Sequence, residues 1–152
     1  MDVSALVEAS DSGWAMIIGT VDSAGQPWAG RAWSVRYEGK GVMRVAIDGQ
    51  DPAVGDCLAD GAYVAVTAAD VETLDSIQLK GRSIGVEPAK RADLAGVGRN
   101  VERLLGAIED TDGLSRKIVS RFVPGEYAIC RVRCSAVFDQ SPGPSAGAAL
   151  QP

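Results

Sequence analysis

Trp14–Asp22 (WAMIIGTVD), Pro27–Gly39 (PWAGRAWSVRYEG) and Gly41–Gly49 (GVMRVAIDG) are three strand-like runs in succession, with no helical pattern between them. The first junction, Asp22-Ser23-Ala24-Gly25, puts a glycine where a tight turn calls for positive φ. The second, Glu38-Gly39-Lys40-Gly41, has two glycines, which suits a short hairpin. An antiparallel meander follows. The first run is almost continuously apolar, the pattern of a strand buried on both faces. In the second, Arg31, Trp33, Val35 and Tyr37 alternate onto one face, and Gly30, Ala32, Ser34 and Arg36 onto the other. The third sets Met43, Val45 and Ile47 inward, leaving Arg44, Ala46 and Asp48 on a polar, available face.

Working outward, Met1–Ser12 reads as a short helical or irregular lead-in. Asp51–Asp60 (DPAVGDCLAD) suits a short helix, with Asp51 as cap and Pro52 in the first turn. A fourth strand is predicted over Ala62–Ala68 and a fifth over Ser76–Val86, with Gly81 and Gly85 permitting a bend or bulge. Leu94, Val97, Val101, Leu104, Leu105 and Ile108 then form one helical stripe. Thr111 or Asp112 is placed to cap a second helix that turns Leu114, Ile118 and Phe122 inward, and Pro124-Gly125 ends it. Tyr127–Phe138 closes the pattern as a sixth strand. The fold class is therefore mainly β with helices (α+β), a small six-stranded antiparallel barrel with peripheral helices. It forms a single domain over 1–138. The Pro-, Gly- and Ala-rich tail 139–152 is expected to be irregular and partly mobile.

Composition narrows the function. The net charge of -5 argues against nucleic acid as a partner, because phosphate contacts need basic surface. No apolar run is long enough to span a bilayer, so no membrane partner is expected. The acidic N-terminus has no secretory pattern, and a cytoplasmic location follows. Cys130 and Cys134 lie four apart on one strand, roughly 13 Å along it, which is beyond disulfide reach. Histidine is absent, which removes the commonest general base, the histidine-paired nucleophiles and most zinc sites. No metal constellation is visible.

GTVDSAGQPWAGRAW, RYEGKGVMRVAIDG, QLKGRSIGVEP and the closing strand together resemble the pyridoxamine 5'-phosphate oxidase-like superfamily. The resemblance runs from about Trp14 to Phe138 and implies a split β-barrel, a homodimer, and FMN bound at the dimer interface. It implies charge-assisted contacts from Arg31 to the flavin phosphate or ring, and a ring or substrate contact from Arg36, five residues on. Trp33 is a stacking candidate, and Val45, Ala46, Ile47 and Asp48 would offer backbone groups to the isoalloxazine. The chain departs from the family in the turn after the third strand, where Asp48, Asp51 and Asp56 oppose a phosphate dianion. Lys80 and Arg82 are the candidates to compensate. The implied activity is that of a flavin-dependent oxidoreductase on an unknown small molecule. Two alternatives stand beside it: a relative that uses the deazaflavin F420, and a cofactor-free barrel that works as a small-ligand binder or assembly module.

Overall fold

The glycine-bearing turns seat the first hairpins. In a computed structural model, which describes residues Ser4–Asp51 and Asp56–Leu150, Gly25 sits at φ 80, and Gly39, Lys40 and Gly41 all have positive φ. The Asp22 carboxylate accepts the Ala24 and Gln26 N–H groups at 2.8 Å. Strands β1 (Ala15–Val21), β2 (Pro27–Gly39), β3 (Val42–Asp48), β4 (Tyr63–Ala69), β5 (Ser76–Pro88) and β6 (Tyr127–Asp139) are antiparallel throughout. They close in the order β1-β2-β3-β6-β5-β4. Helices α1 (Ser4–Asp11), α2 (Arg91–Asp112) and α3 (Arg116–Val119), followed by a 3-10 turn (Ser120–Phe122), lie outside the barrel. Of the helix expected over 51–60, residues 52–55 lie outside the described residues, Asp56 is helical, and the chain leaves through turns over 57–60.

Inside the barrel, Met16, Ile18, Val35, Met43, Val45, Ile47, Val66, Leu79, Val132 and Val137 form the core. Leu6 and Ala9 of α1 join it, and Ser10 Oγ accepts the Val35 N–H at 2.7 Å. A second cluster of Trp33, Ala46, Val97 and Ile129 lies between the barrel wall and α2.

This second layer corrects the expected face patterns. β2 is bulged between Ala32, opposite Ile47, and Ser34, opposite Ala46. Trp33 is the extra residue, so Val35 turns back into the barrel while Trp33 stays under the helix. The outer face of β3 is likewise covered rather than available, since α2 buries Arg44 and Ala46. β1 is buried on one face only and exposes Ile17 and Val21. Leu114, Ile118 and Phe122 are exposed as well. α2 runs on through Asp112 to a left-handed cap at Gly113, and the short α3 starts after Ser115.

The register of β5 against β6 shifts twice: at Ser83/Val86, beside Gly85, the extra residue lies in β5 as expected, whereas at Lys80/Gly81 it is Ser135 of β6. The tail forms no regular element but is tied to β6: Asp139 N donates to Ala148 O, and Leu150 N to Val137 O. None of the three cysteines is in a disulfide, and burial pushes the Cys130 thiol up to about 11.

Gly81 permits a close strand approach, because a Cβ there would lie 2.2 Å from the Arg133 carbonyl oxygen. Gly81→Val is expected to lower stability by about 3 kcal/mol or more, read by urea denaturation. A loss well inside 1 kcal/mol would show that the β5–β6 contact yields freely.

Candidate functional site

Alternation along five strands of the closed barrel turns their polar and small side chains outward. Ile17, Gly19 and Val21 of β1 point outward beside Ala29 and Arg31 of β2. Tyr63, Ala65 and Thr67 of β4 follow, then Gln78, Lys80 and Arg82 of β5, and Ala136 and Phe138 of β6. The registers set these side chains in rows. Arg31, Ile17, Thr67 and Gln78 lie in one, where Gln78 Nε2 donates to Thr67 Oγ1 at 2.8 Å. Ala29, Gly19, Ala65, Lys80 and Ala136 lie in the next, and its small side chains floor a groove of about 660 Å3 walled by Val21, Tyr63 and Phe138.

Among the described residues that line the groove there is no carboxylate, in a chain of net charge -5. The groove's cations are engaged with π-systems and backbone instead. Arg82 stacks on the Tyr63 ring at 3.4 Å and donates to the Gly61 carbonyl, and the Lys80 ammonium lies 4.8 Å from the Phe138 centroid. Arg31 is exposed and has no ion pair or hydrogen bond with any described residue. It stands between a shallow opening with Ile17, Ala29 and Gly30 and a smaller cavity of about 160 Å3. That cavity lies between β2 and the helices, lined by Trp33, Leu104, Leu105, Ile108, Val119, Phe122 and Val123. Trp33 is 5% exposed and packs edge-on to Tyr127. Its indole Nε1–H is buried without a partner among the described residues.

The remaining candidates go elsewhere. Arg36 donates to Asp93 Oδ1 through Nη2 at 2.9 Å. Asp93 also takes a bidentate pair from Arg44, with Nε to Oδ1 at 2.9 Å and Nη2 to Oδ2 at 2.7 Å. Arg44 Nη1 reaches Glu87 at 2.6 Å and Glu38 at 3.3 Å, and Arg131 clasps Glu38. Arg44 and Asp93 are each 2% exposed. Burial acts to raise the Asp93 carboxyl, but hydrogen bonds from Arg44, the Lys90 amide and Arg36 outweigh it and hold it well below the usual range. The hydrogen bonds to Asp93 raise the Arg44 guanidinium against the opposing effect of burial.

Val45 and Ile47 point into the core, and Ala46 lies beneath α2. Their strand is paired on both sides, to β2 and to β6. In the turn that follows, Gly49 N donates to Glu126 O, Gln50 N to Asp48 Oδ1, and Asp51 N to Asp48 O. Those amides are already used. The structure therefore brings Lys80 and Arg82 to one groove and sets Arg31 with Trp33 at a separate cavity, and it keeps Arg36, Val45, Ala46, Ile47 and Asp48 apart from both. The contributions of Tyr63, Phe138 and Gln78 to the outer surface were not read from the sequence, although their strand parity marks them.

No family model matches the chain, and no curated protein matches it. Solved structures do. HupZ of Group A Streptococcus superposes with a TM-score of 0.58 at 16% identity, over 97% of this chain and 100% of that one. A protein of the pyridoxinephosphate oxidase family from Clostridium acetobutylicum, related to general stress protein 26 of B. subtilis, gives 0.54 at 14% identity, over 99% and 96%. The chain has the pyridoxamine 5'-phosphate oxidase-like split-barrel fold. An F420 reductase shares this split barrel, with a TM-score of 0.55 at 16% identity over 88% of this chain and 94% of that one.

Asp93→Asn leaves the buried Arg44 short of its main counter-charge, and a loss of about 3–5 kcal/mol is expected in urea denaturation at neutral pH. Because the folded carboxyl is depressed, its contribution is present above the unfolded value of about 4 and is lost as pH falls toward the folded one. The gap between wild type and variant should therefore narrow in acid. A constant gap from neutral pH into acid would assign the stabilisation to other groups.

Proposed function

We propose that the protein binds a flavin-type cofactor on the outer face of β2, β1, β4 and β5 and acts as an oxidoreductase. The observation that carries this reading is an apolar groove with Lys80 and Arg82 at its edge and no carboxylate among its described lining residues. The groove's size falls within the range of small-molecule sites, roughly 300–1,000 Å3. Arg31 and Lys80 stand three strand spacings apart, about 14 Å, and two residues, about 7 Å, apart along the strands, a span suited to an elongated planar anion. Arg31 would hold the phosphate, and Lys80 and Arg82 would face the polar edge of the ring. Gly19 and Ala65 would let the ring approach the sheet closely. The cofactor supplies hydride chemistry when bound; the protein's part is to orient it and to exclude water.

FMN is the leading candidate and deazaflavin F420 the alternative, since both are anionic and planar. A second copy of the chain covering Ile17, Val21 and Tyr63 would complete the enclosure, so a homodimer belongs to the same proposal. A cytoplasmic setting agrees with cysteines that form no disulfide. The cofactor-free alternative draws on a different observation: the amides after β3 and the Arg36 guanidinium are already occupied.

An absorption spectrum of the purified protein, followed by titration with FMN and F420, tests the proposal. Arg31→Ala is expected to weaken FMN binding by about 2 kcal/mol, the value of a charge-assisted hydrogen bond. Affinity unchanged in that variant would remove Arg31 from the site. A colourless wild type that binds neither cofactor would leave the barrel as a cofactor-free binder.

A further inference from the structure

We propose that the cavity between β2, the C-terminal half of α2 and the 3-10 turn binds a small apolar monocarboxylate of about benzoate size. The walls supplied by α2 and by the segment after it are aliphatic or aromatic: Leu104, Leu105, Ile108, Val119, Phe122 and Val123. The two polar side chains that line it, Arg31 and Trp33, are both donors. The Arg31 guanidinium has no acidic partner among the described residues, and the Trp33 Nε1–H is buried with none. A lining of two unspent donors and no side-chain acceptor selects a head group that only accepts. An ionised carboxylate is such a group, and it pairs with guanidinium in a planar fork.

Size fixes the rest of the ligand. The cavity measures about 160 Å3, and an apolar protein cavity of about 150 Å3 accommodates benzene. A single ring or a short branched chain therefore fills it, whereas a nucleotide or a sugar phosphate does not enter. Amines are repelled by Arg31, and polyols find apolar walls. The carboxylate sits at the mouth, where Arg31 is exposed, and the hydrocarbon body lies against the helices. This goes beyond the flavin reading: the cavity lies beneath the helices, shares only Arg31 with the flavin proposal, and its occupation requires no cofactor.

The test is calorimetric titration of the full chain with benzoate, without flavin, beside benzyl alcohol as an uncharged ring of the same size. Saturable benzoate binding is expected, about tenfold or more tighter than benzyl alcohol, as for one charge-assisted contact. Trp33→Phe keeps the ring, removes the N–H and should weaken benzoate about tenfold. Val119→Phe fills the cavity from its rim and should abolish binding while thermal unfolding stays cooperative; Ile108→Phe serves if that variant does not fold. An FMN titration of the filled variant separates the two sites, because it should match wild type whether or not benzoate binds. Absence of saturable benzoate binding to wild type, equal affinity for benzyl alcohol, or undiminished binding in the filled variant would each overturn the assignment.

Discussion

The Arg44–Asp93 pair is the contact on which the arrangement outside the barrel depends. Arg44 stands on the outer wall of β3, and Asp93 is the third residue of α2. Their bidentate bond fixes the start of the helix over the sheet. Asp93 Oδ2 also accepts the Lys90 amide at 2.9 Å, which satisfies one of the donors that a helix start leaves open. Two charges this deeply buried are costly to desolvate, and only a fully bonded geometry offsets that cost. Arg36, Glu87 and Glu38 complete that geometry. With the helix placed, Trp33 and Ala46 are roofed, and the cavity behind Arg31 takes its shape.

The same network sorts the charges of an acidic protein. Glu38, Glu87 and Asp93 gather around Arg44, Arg36 and Arg131 on one side. The groove on β1, β4, β5 and β6 shows cations, small residues and apolar surface, with no acidic side chain among its described lining residues. A field that attracts anions therefore arises locally although the whole chain is negative. Tyr63 and Phe138 hold Arg82 and Lys80 by their ring faces, which keeps both cations extended over the groove without neutralising them.

Much of the barrel was legible because its signals are local. Gly25, Gly39 and Gly41 mark turns by backbone conformation alone, and Gly85 marks the bulge of β5. The bulge at Trp33 was not legible, since an unbroken alternation through RAWSVRY gives no sign that β3 will skip a residue opposite it. The burial of Arg44 was hidden for a related reason: an arginine on an alternating strand reads as solvated until a helix brings a carboxylate to it. Asp93 carried a weak signal as an acidic residue in the first turn of a helix. Of the candidate site, Lys80 and Arg82 stood out as cations flanking Gly81, and Arg31 through the family resemblance of the second strand. The commitment of Arg36 to Asp93 depends on how α2 docks, which no spacing within the second strand encodes.

The closure of the barrel has a kinetic side. β1, β2 and β3 are successive hairpins, and β4 and β5 form another, so these pairings join near neighbours in the chain. The seam between β3 and β6 does not: Met43 pairs with Val132, and Asp48 with Tyr127, across almost the whole domain. Loop-closure entropy makes such a seam late and slow. During synthesis β3 emerges long before β6, and its edge lies open in the interval. Arg44 sits in the middle of that edge as a charged residue, the kind of group that discourages another chain from pairing there. The residue that anchors the finished fold thus also protects the unfinished one from aggregation.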